Sequence, residues 1–143
     1  MIGKIESVAV IGDKRLEIAW DDSHVAPVDL RDVIEAHKAL APLKKKTEFA
    51  RAAVSADGWS VEWPSGVDFG APQLRRWADE QAGEIMPVAD FRAWLDEHDL
   101  TQEAAAQALG LSRRMIAYYL SGEKPIPKTV MLATEGWAAR VEA

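Results

Sequence analysis

The stretch Thr101 to Gly122, TQEAAAQALGLSRRMIAYYLSG, constrains this chain more than any other, because two short helical patterns meet there at one glycine. The Thr101 hydroxyl can cap a helix start, and Glu103 places negative charge in a first turn where the helix dipole favours it. Ala104, Ala105, Ala108 and Leu109 recur at i, i+1, i+4 and i+5 and form an apolar stripe, while Gln102, Glu103 and Gln107 stay polar. Gly110 falls where so short a helix must stop, and glycine accepts the left-handed backbone of such a stop. Leu111 then returns to the core. Ser112 can cap a second helix with Ile116, Tyr119 and Leu120 facing inward and Arg113, Arg114, Ala117 and Tyr118 facing outward. Ala106 must be small if the second helix is to cross close over the first.

Gln102, Ala106, Gly110, Leu111, Ser112, Ile116 and Gly122 stand in the spacing of a known pattern. With them the segment, over roughly residues 85 to 140, resembles the helix-turn-helix of phage-repressor-like regulators, the Xre or Cro/C1 family. That resemblance implies a second helix lying in the DNA major groove, with its first residues and those one turn later reaching base edges. It makes Arg113, Arg114 and Tyr118 the candidate base readers, and arginine suits the task because its planar fork can bond guanine O6 and N7 together. Gln102 and Ser112 take the positions of phosphate contacts, and Lys124 after the second helix can make another; these position rather than specify. Two other readings compete: exposed arginines on a solvated bundle, and a helix-turn-helix used as a protein-interaction module. Tyr118 can equally be partly packed. Met115 replaces the small polar residue common at its position, and can touch a thymine methyl or cover the helix below.

Charge restrains the DNA reading. The chain carries net charge -6, and a freestanding nucleic-acid binder is usually basic. Residues 1–84 hold 11 basic and 15 acidic side chains, and residues 85–143 hold 6 and 8, so neither half is basic. Locally the balance reverses: Arg113, Arg114, Lys124 and Lys128 against Glu123 make residues 110 to 130 net +3. A basic patch on one face suffices for the family it resembles, and a homodimer doubles it. Asp96, Glu97 and Asp99 are expected to end the preceding helix as solvated charge.

The N-terminal half has a different texture. Ile5 to Ile11 and Arg15 to Trp20 flank Gly12, Asp13 and Lys14 as a hairpin, and Val25 to Asp29 follows the turn Asp21, Asp22, Ser23, so three antiparallel strands are expected. Leu30 to Leu40 reads as a short amphipathic helix covering the sheet, ended by Pro42. Phe49 to Ser55 and Trp59 to Trp63 alternate around Ala56, Asp57 and Gly58 as a second hairpin, closed by the turn Pro64, Ser65, Gly66. Trp59 and Trp63 are expected on one core-facing side. Pro72 to Gln81 reads as one more helix, with proline in its first turn. The runs LEIAWDD, VAPVDLRDVI and WSVEWPSGVDFGAPQL make roughly residues 1 to 80 resemble a small bacterial α+β family known only as domain of unknown function 2442. That resemblance implies no biochemical activity; members also occur joined to a C-terminal helix-turn-helix, and a protein-partner surface or a dimer contact is the expected role.

Nothing in the chain assembles enzyme chemistry. His24, His37 and His98 are scattered, there is no cysteine, and no metal site or cofactor is expected. No GxSxG elbow, P-loop or GxGxxG occurs. Asp21 with Asp22 and Asp79 with Glu80 read as surface carboxylates, and the run Lys44, Lys45, Lys46 as a solvated loop. No charged start with a following apolar run and no apolar stretch of about 18 residues is present, so a cytoplasmic protein with no membrane contact is expected.

The expected fold class is α+β: a small antiparallel sheet with a covering helix over residues 1–83, then an all-α repressor-like domain of about five helices over 84–143. The segment QAGEIM is the expected joint. The C-terminal helix Pro127 to Val141 is expected to turn Val130, Leu132, Ala133, Trp137 and Val141 toward the core or a dimer partner. The expected function is sequence-specific binding of double-stranded DNA by a homodimer, since one short helix reads few bases. Two further readings stand beside it: an antitoxin-like module that neutralises a protein partner through residues 1 to 80 and binds DNA as a complex, and a small-molecule sensor holding an effector between sheet and helix.

Overall fold

The computed structural model describes residues 3–143, which divide into two compact units, Met1–Gln81 and Ala82–Ala143. In the first, β1 (Ile5–Gly12), β2 (Arg15–Trp20) and β3 (Val25–Asp29) form an antiparallel sheet in sequence order. The period of two places Leu16, Ile18 and Trp20 of β2 and Val28 of β3 fully inside, and Leu16 lies opposite both Val10 and Val28. Lys14 and Ser23 carry the positive φ values of the two connecting turns.

The helix expected over Leu30 to Leu40 is shorter. Helix α1 (Arg31–Ala36) ends before His37, whose extended backbone starts a 3₁₀ segment, Lys38–Lys44, that runs through Pro42 instead of stopping at it. Its bonds reach three residues back, as from the Leu40 amide to the His37 carbonyl at 3.1 Å, and the Pro42 carbonyl still accepts from the Lys45 amide at 3.3 Å. The strand expected from Phe49 begins only at Ala53. Phe49 instead ends a single helical turn, α2 (Lys46–Phe49), where its buried ring lies 5.8 Å from that of Trp63. Strands β4 (Ala53–Val54), β5 (Ser60–Glu62) and β6 (Asp68–Gly70) form a second antiparallel sheet, of which β6 was not expected. The turn before β6 is tight: the Gly66 amide bonds the Trp63 carbonyl at 2.9 Å, with Gly66 at φ 95°. Helix α3 (Ala71–Gln81) follows at once, with Pro72 in its first turn.

The tryptophan pair separates. Trp63 is buried and its indole N–H donates to the Phe49 carbonyl at 3.0 Å, whereas Trp59 is 42% exposed. Strand β5 begins one residue after Trp59, and the Asp57 carboxylate accepts the Trp59 amide at 3.0 Å, so this tryptophan belongs to the turn and lies under the Lys4 ammonium.

The second unit contains β7 (Ile85–Met86), α4 (Val88–Glu97), α5 (Gln102–Leu109), α6 (Arg113–Ser121), β8 (Ile126–Pro127) and α7 (Lys128–Glu142). This unit has four helices among its described residues, rather than about five. Two of the six residues of the expected joint are strand: β7 pairs with β8, and Met86 is buried in the second core. That core gathers Phe91, Trp94 and Leu95 of α4, Ala105 and Ala106 of α5, Ile116 and Tyr119 of α6, and Ile126. On α7 the inward face is Val130, Thr134 and Trp137, spaced i, i+4 and i+7. Leu132 and Val141 are 53% and 52% exposed and Ala133 is exposed, so these three do not complete the core of the unit. At about 100° per residue, Leu132 lies opposite Val130 and Thr134 and cannot share their face.

Candidate nucleic-acid interface

The helix pair α5–α6 is built by its caps. The Thr101 hydroxyl accepts the Ala104 amide at 3.0 Å, and the Ser112 hydroxyl accepts the Met115 amide at 3.1 Å. Each satisfies one donor that the first turn of its helix leaves unpaired. Between them Gly110 takes φ 70° and ψ 32°, and the Leu111 amide reaches back to the Ala106 carbonyl at 2.9 Å, the six-residue closure of a Schellman stop. Leu111 packs on the core, and the chain turns into α6 within three residues.

Helix α6 lies on α5 through small and large residues together. Ala106 is buried, Ile116 is fully buried, and the Tyr119 ring meets Phe91 edge-on at 5.8 Å. Burial pushes the Tyr119 hydroxyl pKa up, so this phenol stays neutral within the core. Gly122, at φ 79°, closes α6. The Arg92 guanidinium of α4 donates to the Leu120 carbonyl at 3.1 Å, satisfying one of the orphan acceptors at the end of α6. Arg92 was not among the sequence candidates: an arginine on the polar side of a helix carries no mark of the carbonyl it will meet.

Arg113 and Arg114 occupy the first turn of α6, exposed and without a hydrogen bond or ion pair among the described residues. Ser112 is spent on its own helix as a cap. Gln102 is exposed at the first position of α5. Tyr118, one turn beyond Arg114, is half-buried, and the Lys124 ammonium sits 4.9 Å from its ring centroid. The Lys124 amide also bonds the Tyr118 carbonyl at 3.3 Å, so these two candidates are joined by backbone and side chain. Met115 is half-buried and packs against the core, covering the helix below. Four of the six candidates therefore fall on the two helix starts of one motif, Tyr118 lies one turn further along α6, and Lys124 lies on the segment leaving it.

No group of three or more His, Asp or Glu among the described residues is placed to hold a metal ion, and no described helix is long and apolar enough to cross a membrane.

Comparison with known proteins divides the chain in the same way. A family model described as protein of unknown function (DUF2442) matches residues 5–80, and one described as helix-turn-helix matches residues 91–133. The chain is also similar to the crystal structure of “Putative DNA Binding Protein NE0471” from Nitrosomonas europaea ATCC 19718, at 37% identity over 95% of this chain and 86% of that one, with a TM-score of 0.55. No curated protein matches the chain.

Proposed function

The chain belongs to the DUF2442 family of proteins of unknown function, continued by a helix-turn-helix, and we propose that it is a sequence-specific DNA-binding regulator of transcription of the Xre type. One observation carries the proposal: two adjacent arginines, unpaired within the described chain, stand in the first turn of the helix that a capped glycine turn presents. The name of the similar Nitrosomonas europaea protein points the same way.

In this reading α6 enters the major groove. Arg113 and Arg114 bond guanine edges, and Tyr118 contributes one turn later from beneath Lys124. Gln102, the amides around Ser112, and Lys124 hold phosphates at the two helix starts and at the exit of α6. The local excess of positive charge opposes an acidic whole, so weak sequence-independent attraction is expected, and affinity rests on base contacts made twice by a homodimer. The N-terminal unit serves dimerisation or partner binding, and the activity is recognition rather than catalysis. The test is a mobility shift of DNA from the gene's own promoter region at low salt. A sequence-dependent shift supports the proposal, and its absence overturns it.

A further inference from the structure

The N-terminal unit holds a cavity of about 340 Å³ between the β1–β2 turn and α2, lined by Val10, Gly12, Asp13, Lys14, Lys46 and Phe49 among others. Its size falls within the range of small-ligand sites, about 300–1,000 Å³. We propose that this cavity binds a small monoanion with an apolar body, a medium-chain or aromatic carboxylate.

The apolar part comes from Phe49, buried beneath, and from Val10, which is 41% exposed although it lies on the core-facing side of β1 opposite Leu16. Val10 thus leaves apolar surface at the cavity. The charge comes from two lysines. Lys14 holds φ 59°, a left-handed backbone that a residue with a β-carbon adopts rarely, and its ammonium hangs 5.5 Å from the Phe49 ring centroid with its side chain only 12% exposed. Lys46 belongs to the lysine run that the helix-turn-helix leaves unused. Within that run Lys44 faces Glu35 at 3.8 Å, whereas Lys46 has no ion pair among the described residues.

One carboxylate stands at the rim. Asp13 lies 3.4 Å from the Lys14 ammonium and 3.9 Å from the Arg31 guanidinium, so it is already shared between two cations. An incoming carboxylate meets the Lys14 ammonium and the lining Lys46 side chain over an apolar floor, and Asp13 is its internal competitor for Lys14. A neutral ligand of the same body gains only the apolar contact, and a cationic one is repelled.

The experiment is titration of the full chain with sodium octanoate, followed by amide chemical shifts, with octan-1-ol and octylammonium as matched controls. The expected result is saturable shifts at Val10, Gly12 and Phe49, with binding about tenfold or more weaker for octylammonium, by the charge reversal. Lys46→Gln, at an exposed position, and Lys14→Gln weaken octanoate, while Asp13→Asn tightens it by freeing Lys14; a merely structural turn aspartate would not give that gain. Absence of saturable octanoate binding overturns the proposal. So do equal affinities for the three probes, or an affinity that neither lysine variant changes. Association with phosphatidylglycerol vesicles in place of octanoate binding would assign the lysines to a membrane surface and also overturn it.

Discussion

Arg92 on α4 donates a 3.1 Å hydrogen bond to the carbonyl of Leu120 in the last turn of α6, so the helix carrying Arg113 and Arg114 is held at its far end from a neighbouring helix. A charged donor on a helix-terminal carbonyl both satisfies an orphan acceptor and complements the negative end of the dipole. Because Arg92 is exposed, Arg92→Ala is expected to cost about 0.5–1 kcal/mol in urea unfolding. On DNA it should weaken every sequence by the same factor, since the arginine orients α6 without reading a base. A change of preference at single base positions would instead place Arg92 among the base contacts.

Two glycines of the second unit should respond to alanine in opposite directions. Gly110 and Gly136 both have open space where a β-carbon would go, so neither substitution creates a clash. Gly110, at φ 70°, demands the left-handed backbone, and Gly110→Ala is expected to destabilise by about 1–2 kcal/mol. Gly136 sits inside α7, where the same change removes backbone freedom from the unfolded chain and should stabilise by about 0.5–1 kcal/mol. Thermal melts of the two variants beside the parent check the pair; the same sign for both would contradict it.

The pH dependence of the second unit is expected to pass through His98. Its ring Nδ1 lies 2.9 Å from the Trp94 carbonyl and its Nε2 lies 3.5 Å from Glu142, at the end of α7. The Trp94 carbonyl first, then Glu142 and Glu97, favour the protonated ring and raise its pKa above the usual histidine value. A raised folded pKa stabilises the fold in full below the unfolded value of about 6.5, and that contribution disappears as pH climbs through the folded pKa. The melting temperature should therefore fall from just below neutrality upward, and His98→Gln should flatten that fall. Direct titration of the His98 ring by NMR gives the pKa itself, and a value at or below the ordinary one would contradict the assignment.

The helix-turn-helix was legible because local chemistry determines it. Thr101 and Ser112 take the capping role that their hydroxyls favour, and Gly110 and Gly122 the left-handed stop that a residue without a β-carbon accepts, independent of what lies elsewhere. The three-stranded sheet was legible for a similar reason, since its alternating apolar pattern has only one buried face. Illegible features were those set at a distance. Ile85 and Met86 become a strand only because Ile126 and Pro127 lie beside them, a partner 40 residues away for Met86. Strand β6 shows one buried apolar residue, Phe69, too little for an alternating pattern. Trp59 and Trp63 share a spacing but not a strand, and the spacing alone could not reveal where β5 begins. In the candidate site, residue types showed which side chains can read DNA, but not that Lys124 covers Tyr118 or that Arg92 anchors α6.

The central claim is that Arg113 and Arg114 read bases, and it is tested most directly by selecting bound DNA from a random pool with the parent protein, Arg113→Ala and Arg114→Ala. The expected result is a defined enriched sequence for the parent. Each variant should lose about 1–3 kcal/mol of affinity for that sequence and relax preference at particular positions. Enrichment of no sequence by the parent, or a loss spread equally over all sequences in both variants, would contradict it.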